Sequence, residues 1–385
     1  MLLSDRIQTS KPHSSRIAWL DIAKAYGIFL VFYGHLLESF VDLDYVLLLS
    51  ALKFKHSFHI PLFFILSGYV YKDKKQSLGY FLKYQALSRL LPVLVFNTIG
   101  LGIALVFPAG QQEAWNLEAY VFHWLKLLRG FPVFSAVTWF LVCLFVVEII
   151  HFGLKRYLRS ARAIFGAAIA FSVVGALVNS QFDLVVSLTG IDRNVWYVYE
   201  AIAAYSFYLF GLGCARLRVF ASDGGAHPHR GRSLAVAVGG VALTVLTFGL
   251  NSGPFRGSIE IVSMAVASYG NWFWFLLTAL AGALATMAIA QLTPPWPPLL
   301  DIGRSTLILL GLNGILDNTF NIEIVRAIAP YFNLQNSATA HILAFGLTLL
   351  SLLVAWPVAK LLNTVVPQLM GRPKARGPWL KPLVR

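Results

Sequence analysis

Ten apolar stretches, most of them long enough to cross a lipid bilayer, follow one another along the chain. A transmembrane α-helix needs about 20 consecutive and mostly apolar residues. The predicted spans cover residues 17–40, 57–71, 80–107, 137–154, 163–179, 196–217, 233–250, 270–292, 299–320 and 339–366. The second is short, and it either stands alone or begins earlier, at residue 45, with a break near residues 53–56. This pattern predicts an all-α, polytopic membrane helix bundle of about ten transmembrane helices.

The composition agrees with lipid as the natural solvent of the chain. Of its 385 residues, 57% are hydrophobic and only 12% are charged, whereas soluble domains carry about 25% charged residues. The net charge of +14 comes from short basic clusters between the apolar stretches. That distribution is typical of cytoplasmic loops and argues against a nucleic-acid partner. Cys143 and Cys214 both lie inside apolar stretches, which excludes a disulfide framework and a cysteine-based zinc site.

The connecting segments predict the orientation of the chain in the membrane. Basic and non-basic segments alternate across the ten spans, which places both termini in the cytoplasm. Short tails, 1–16 and 367–385, then flank a single transmembrane domain formed by the whole chain (1–385). Residues 1–16 resemble the basic start of a signal peptide, but the next stretch carries Asp21 and Lys24 and lacks a cleavage site. We therefore predict a retained first helix. The glycine-rich segment 222–232 is predicted to be a flexible cytoplasmic loop whose two histidines are solvated.

Four ionisable residues, Asp21, Lys24, His35 and Glu38, lie within the first span, where charges are costly and mark candidate functional sites. At about 100° per residue, Lys24 lies about 20° from His35 around the helix, and Asp21 and Glu38 lie about 40° and 60° away. All four therefore share one stripe. Histidine is the usual general base near neutral pH, and Glu38, one turn on, would orient its ring. The alternative is an Asp21–Lys24 ion pair with His35 as an interhelical hydrogen-bonding residue.

Two further groups of polar residues accompany the second and third spans. His59 stands just before Pro61, which starts or breaks a helix, and Ser67 precedes a glycine that allows close approach of a ligand or a neighbouring helix. Arg89, near the start of the third span, suits a phosphate-bearing ligand or an interfacial cation. The remaining polar residues within or near spans are interpreted, taken singly, as structural: Glu148, His151, Glu200, Asn313 and Asp317.

These residues stand in motifs that resemble the acyltransferase-3 family of membrane acyltransferases, in particular its fucose 4-O-acetylase-like branch. The motifs are residues 19–24 (WLDIAK) with His35 after ten intervening residues, 58–64 (FHIPLFF) with 67–69 (SGY), 89–92 (RLLP), 139–141 (WFL) and 302–307 (IGRSTL). Any one of them is weak, but together they follow the family's order over about residues 17 to 315. Two departures are Ala86, where the family often has a first arginine, and Asn313, where many members have histidine. Lys83, one turn from Ala86, is the candidate substitute for that arginine.

The resemblance implies a multi-pass protein of the cell inner membrane that takes an acyl group, usually acetyl, from acyl-CoA. The acceptor would be a hydroxyl of an envelope glycan or a lipid-linked sugar. Lys24 and Arg89 would bind the phosphates of acetyl-CoA, and Asp21 would position Lys24. His35 would act as general base or accept the acyl group transiently, while His59 and Ser67 would donate hydrogen bonds to the oxyanion.

The resemblance implies acetyl-CoA as a donor substrate and no permanently bound cofactor or metal. The competing interpretations are a transporter or flippase of a sugar or anionic solute, and a membrane glycosyltransferase or polysaccharide polymerase. The chain shows neither the repeated halves of secondary transporters nor a large extracytoplasmic loop.

Overall fold

The computed structural model of the chain describes residues 17–192, 194–220, 230–251 and 261–384. Within these ranges the chain forms helices joined by short segments, and it forms no β-strand there. The prediction of an all-α membrane helix bundle is confirmed. The predictions made for the tail 1–16 and for most of the loop 222–232 concern residues outside these ranges.

In chain order the helices are α1 (Ala18–Val41), α2 (Leu49–His56), α3 (His59–Tyr69), α4 (Leu78–Val106), α5 (Leu117–Leu125), α6 (Ala136–Leu154), α7 (Ala161–Ser180), α8 (Phe182–Thr189), α9 (Val198–Arg216), α10 (Arg230–Leu250), α11 (Trp272–Leu292), α12 (Pro297–Arg304), α13 (Thr306–Tyr331) and α14 (Ser337–Val365). Short 3₁₀ turns lie at Val46–Leu48, Gly110–Ala114, Lys126–Arg129 and Met264–Val266. In the described part of the chain, eight helices are long and apolar enough to cross a membrane: α1, α4, α6, α7, α9, α10, α11 and α14. The pair α12–α13 raises this number to nine if its two helices, bent by 74° at their junction, form one span.

The predicted second span, 57–71, differs most from the structure. It corresponds to α3, which has 11 residues and is therefore about 17 Å long, well short of the roughly 30 Å hydrocarbon core. The helix is interrupted at Ser57 and Phe58, between α2 and α3. The predicted ninth span, 299–320, is interrupted at Ser305. The count of ten spans and the cytoplasmic placement of the termini stay predictions.

Helices α1 and α9 form the centre of the bundle, whereas α7, α10 and α14 turn most of their side chains outward. Close packing at the centre depends on small residues. A Cβ added to Gly68 of α3 would overlap the carbonyl oxygen of Tyr208, and one added to Gly211 of α9 would overlap that of Ile65. In the same way, Gly303 of α12 lies directly against the backbone of Asp21 on α1. Small residues let membrane helices approach to backbone contact, and here they position α3 and α12 against their neighbours.

Two helices contain a π-helical turn, and each turn carries an ionisable side chain toward the interior. The first, Ala86–Leu90 in α4, carries Arg89, and the second, Asp317–Asn321 in α13, carries Asp317. A π-helical turn inserts one residue into the helical register and re-aims the side chains around it, and such turns are frequent at functional sites. Both residues have carboxylate or histidine partners on another helix: Arg89 pairs with Glu148, and Asp317 contacts His35.

Candidate active site

An elongated cavity of about 450 Å³ lies at the end of the bundle where α1 begins, between α1, α3, α4, α6, α12 and α13. Its volume falls within the range of about 300–1,000 Å³ that small-molecule sites occupy. Its polar or charged lining residues are Asp21, Lys24, Ser67, Arg89, Arg304, Thr306 and Arg372. The remaining lining residues are apolar or glycine.

Cations dominate the polar part of this cavity. Lys24, Arg89, Arg304 and Arg372 line it together with a single carboxylate, Asp21. Oδ1 of Asp21 lies 3.4 Å from the Lys24 ammonium, and Oδ2 lies 3.3 Å from Nε of Arg304. Asp21 thus holds two cations at once, one on its own helix and one on α12. The excess of cations over carboxylates favours an anionic ligand.

Arg89 is fixed by a bidentate ion pair with Glu148 of α6. Its Nη2 donates to Oε1 at 2.7 Å and its Nε donates to Oε2 at 3.1 Å. Glu148 is buried, while Arg89 retains partial exposure toward the cavity. Such paired, parallel hydrogen bonds hold a guanidinium in one orientation. Arg89 is therefore presented to the cavity by α6 as well as by its own π-helical turn.

The cavity becomes apolar away from the cations. Ile17 and Val31 both line it, and the 14 residues between them along α1 span about 21 Å. Ser67 is the hydroxyl among the lining residues contributed by α3, and its Oγ donates to the carbonyl of Phe63 at 2.8 Å. A charged end followed by an apolar stretch suits a ligand with an anionic head and a long, mostly uncharged arm.

His35 lies next to two carboxylates. Its Nδ1 is 2.9 Å from Oε2 of Glu38 and 3.2 Å from Oδ2 of Asp317. Because ionised carboxylates only accept hydrogen bonds, Nδ1 carries the proton, and Nε2 is the basic nitrogen of the neutral ring. Among the residues that the structure describes, no hydrogen bond engages Nε2, and 18% of the side chain is exposed. This arrangement leaves Nε2 available to a reacting group.

The other oxygen of Glu38 joins α1 to α2. Oε1 lies 2.7 Å from Nε2 of His56 and 3.9 Å from the Lys55 ammonium. Nδ1 of His56 donates to the carbonyl of Val262 at 3.0 Å. Lys55 is fully buried against Gly34 of α1, where a Cβ would overlap its side chain. A buried cation and two carboxylates therefore surround the imidazole of His35.

The histidine cluster stands beyond the apolar end of the cavity. Val31 lines the cavity, and His35 follows it by four residues, which is about one turn or 6 Å along the same face of α1. His35 itself is not part of the cavity wall. The two sites are consecutive along α1, with the cations at one end and the imidazole at the other.

The chain matches a known protein family over most of its length. A model described as an acyltransferase domain matches residues 17–360. The chain belongs to the acyltransferase-3 family. No curated protein and no solved structure matches it. The match includes every helix that lines the cavity and the whole His35 cluster, so the family's catalytic chemistry is to be sought among these residues. The fucose 4-O-acetylase-like branch stays a prediction.

All but one of the predicted site residues of this acyltransferase fall into two groups. Asp21, Lys24, Ser67 and Arg89 line the cavity, whereas His35 and Glu38 form the second cluster with Asp317. The single polar stripe predicted for α1 is thus divided between two sites. The alternative interpretation of these residues was an Asp21–Lys24 ion pair with His35 as an interhelical hydrogen-bonding residue. Both contacts are present in the structure.

His59 belongs to neither group. It is buried, its Nδ1 donates to the carbonyl of Lys55 at 2.9 Å, and its ring meets that of His56 edge to face at 5.1 Å. These contacts hold the junction between α2 and α3. The role of His59 as an oxyanion donor stays a prediction, and its packing offers a structural role as well.

Sequence reasoning missed several residues that complete these sites: Arg304, Arg372, Asp317, Lys55 and His56. Arg304 lies within the motif of residues 302–307 but was given no role there. Asp317 was interpreted as structural because the sequence shows no partner for it. An ionisable residue within an apolar span is a candidate functional residue by default, and that signal was present at Asp317. Lys83, the predicted substitute for the missing third-helix arginine, is not among the lining residues of the cavity.

The His35 cluster also has the composition of a metal site. Ligand atoms of His35, Glu38 and Asp317 all lie within 4.8 Å of one another. However, the buried Lys55 ammonium is 3.9 Å from Glu38, and its charge opposes a divalent cation on the same carboxylate. We therefore interpret the cluster as a hydrogen-bonded network, and a site without a metal stays a prediction.

Proposed function

We propose that this protein transfers an acetyl or other short acyl group from acyl-CoA to a hydroxyl of a cell-envelope sugar or polysaccharide in the cell inner membrane. The observation that carries the proposal is the orientation of His35, whose Nδ1 is held by two carboxylates one helical turn beyond a cation-lined cavity. Membership of the acyltransferase-3 family supports the reaction class.

The cavity matches the chemistry of the proposed donor. CoA carries several phosphates at one end and a long pantetheine arm that ends in the thioester. Lys24, Arg89 and Arg304 would bind the phosphates at the cationic end. The arm would then follow the apolar part of the cavity along α1, which directs the thioester toward His35.

His35 would act as the general base. Nε2 takes the proton of the acceptor hydroxyl while its oxygen attacks the thioester carbonyl, and a tetrahedral oxyanion forms. The carbon–sulfur bond then breaks, and the CoA thiolate leaves with the proton that the imidazolium returns. Of the two predicted oxyanion donors, Ser67 lines the cavity and His59 packs against His56 beside the His35 cluster. Each now gives its proton to a backbone carbonyl, Ser67 to Phe63 and His59 to Lys55, so either residue would have to exchange that bond to donate to the oxyanion.

The charges around His35 favour this proton transfer. Glu38 and Asp317 contribute two negative charges, and Lys55 contributes one positive charge. A proton added to the imidazole of His35 therefore places a positive charge directly beside two carboxylates. A carboxylate on Nδ1 stabilises the imidazolium and fixes the tautomer in the same way in other histidine-based acyl-transfer enzymes.

Mass analysis of envelope glycans tests this function. The gene is deleted in its host, and the strain is complemented with the wild-type chain, with His35→Ala or with His341→Ala. The wild type and His341→Ala are expected to restore glycan species heavier by one acetyl group, because the described hydrogen bonds of His341 go to Ser337, one turn earlier on α14. The His35→Ala variant, present at the same protein level, is expected to restore none. Acetylated glycans in the His35→Ala strain would show that His35 is not needed for the reaction. If the wild-type chain produces no mass difference in the glycans, the proposed acceptor is wrong.

A further inference from the structure

The segment that follows α14, residues 367–384, is folded onto the bundle, although it was predicted to be a short tail. Gln368 is fully buried, and its Nε2 donates to the carbonyls of Ala375 at 3.0 Å and Leu380 at 2.6 Å. The backbone N–H of Leu383 donates to the carbonyl of Pro373 at 2.8 Å. These contacts close the segment into a series of linked turns. It lies outside the part of the chain that the family model matches.

This C-terminal segment is seated on the elements that form the cationic end of the cavity. Gly371 has φ +79°, in the left-handed region that favours glycine. A Cβ at this position would lie 2.7 Å from the side chain of Leu307 and 2.9 Å from the carbonyl oxygen of Ser88. Ser88 immediately precedes Arg89 on the π-helical turn of α4. The segment therefore bridges α4 and α13 beside the cavity.

Arg372 follows this glycine and lines the cavity. Its Nη2 donates to the backbone carbonyl of Arg304 at 3.1 Å, and its backbone N–H donates to the carbonyl of Pro367 at 3.1 Å. The guanidinium is thus held at the cationic end by a contact with α12. An arginine offers five N–H donors in a planar fork, which suits phosphate oxygens.

A charge count at this end of the cavity shows what Arg372 adds. The ion pairs at this end bring Asp21, Glu148 and Asp301 to four cations: Lys24, Arg89, Arg304 and Lys360. These seven groups carry four positive and three negative charges. Arg372 is a fourth cation among the lining residues, and it arrives from a different part of the chain.

We propose that the C-terminal segment 367–384 is part of the donor site and that Arg372 binds a phosphate group of the acyl-CoA donor. This inference rests on the proposed function for the identity of the donor. It assigns a ligand-binding role to a segment beyond the matched domain. Gly371 of the segment contacts Ser88, which lies on the π-helical turn that also carries Arg89. The position of Arg372 therefore depends on that turn.

Binding of CoA and of pantetheine, which lacks the phosphates, tests the assignment without knowledge of the acceptor. The full-length protein in lipid nanodiscs is titrated with each probe by calorimetry, as wild type, Arg372→Gln and Lys374→Gln. Lys374 is the matched control, since it lies in the same segment and is not a lining residue of the cavity. We expect Arg372→Gln to raise the dissociation constant for CoA about 10- to 100-fold, with that for pantetheine changed less than about 2-fold. Lys374→Gln should behave like the wild type toward both probes.

The outcomes separate this inference from the proposed function. An unchanged dissociation constant for CoA in Arg372→Gln overturns the role of Arg372. An equal rise for CoA and pantetheine overturns it too, because the segment would then support only the shape of the cavity. A wild-type protein that binds pantetheine and CoA equally, or binds neither, contradicts the proposed donor itself. The unfolding temperature of each variant without ligand shows whether it is folded.

Discussion

Nδ1 of His35 on α1 lies 3.2 Å from Oδ2 of Asp317 on the π-helical turn of α13. The two residues come from the first and the second-to-last of the helices described. Together with Glu38, Asp317 fixes the proton of the imidazole on Nδ1 and leaves Nε2 as the basic nitrogen. The contact therefore connects the packing of the bundle to the proposed chemistry.

The first prediction concerns the carboxylates on Nδ1. In Asp317→Asn, the amide keeps a similar shape and removes the negative charge that stabilises the imidazolium. We expect kcat to fall about 10²-fold, with the dissociation constant for CoA unchanged. Glu38→Gln should behave similarly, and the double variant should be slower than either. Rates of acetyl transfer and CoA titrations measure both quantities.

The matched control for Asp317→Asn is Glu323→Gln. Glu323 lies on the same helix, is half-buried and pairs only with Arg326 in the contacts that the structure describes. An Asp317→Asn protein with the kcat of Glu323→Gln would show that Asp317 has no part in the reaction.

The second prediction concerns Lys24→Gln. Because Asp21 keeps its contact with Arg304 at 3.3 Å, loss of Lys24 does not leave a buried carboxylate without a cation. We expect CoA to bind about 10-fold more weakly and the unfolding temperature to change little. The test compares CoA titration with thermal unfolding. A large loss of stability with unchanged CoA affinity would mean that Lys24 serves the fold alone.

The third prediction separates the two roles of Arg89. Arg89→Gln removes the partner of the buried Glu148, and an uncompensated buried charge costs about 3–5 kcal/mol. We therefore expect a strongly destabilised protein. The double variant Arg89→Gln with Glu148→Gln should recover most of the stability while CoA binding stays weak. Denaturation and CoA titration of the single and double variants check this, and full recovery of CoA affinity would argue against a donor role for Arg89.

The fourth prediction concerns backbone packing at the centre of the bundle. In Gly68→Ala the new Cβ would overlap the backbone carbonyl of Tyr208, and backbone cannot yield as a flexible side chain does. We expect a loss of about 3 kcal/mol or more in the free energy of unfolding. Gly166→Ala is the control, because nothing lies within 4 Å of its added Cβ, and it should be neutral or slightly stabilising. Equal stability of the two variants would show that α3 and α9 are not in backbone contact.

The positions of the long helices were predictable because length and apolar composition are local properties of the chain. The break between α2 and α3 was predicted as one of two alternatives, near residues 53–56, and it lies just after them at Ser57 and Phe58. His56 and His59 lie on either side of it, and their partners, Glu38 and the Lys55 carbonyl, become visible only once the helices are packed. A short apolar stretch does not reveal whether it spans the membrane or ends inside the bundle.

The site was predictable in its residue types and only partly in its grouping. Helical periodicity gives the direction in which Asp21 and His35 face, but it does not say which helix covers each of them. Arg304 of α12 contacts Asp21, whereas Asp317 of α13 contacts His35. The polar residues of α1 therefore belong to two separate sites. The inserted residue of the π-helical turn that re-aims Asp317 leaves no local signal in an apolar sequence. Arg372 could not be told from the other basic residues of the C-terminal segment by sequence. Its position depends on turns that Gln368 closes by binding the carbonyls of Ala375 and Leu380.

Transfer of radiolabel from acetyl-CoA into the membrane glycans of the host, catalysed by the purified protein, tests the central claim most directly. The comparison is between the wild type, His35→Gln and His341→Gln at equal amounts of folded protein. The wild type and His341→Gln should label the glycans at similar rates, and His35→Gln should be slower by about 10³-fold. Labelling by His35→Gln at the wild-type rate would contradict the claim that the imidazole held by Glu38 and Asp317 carries the reaction.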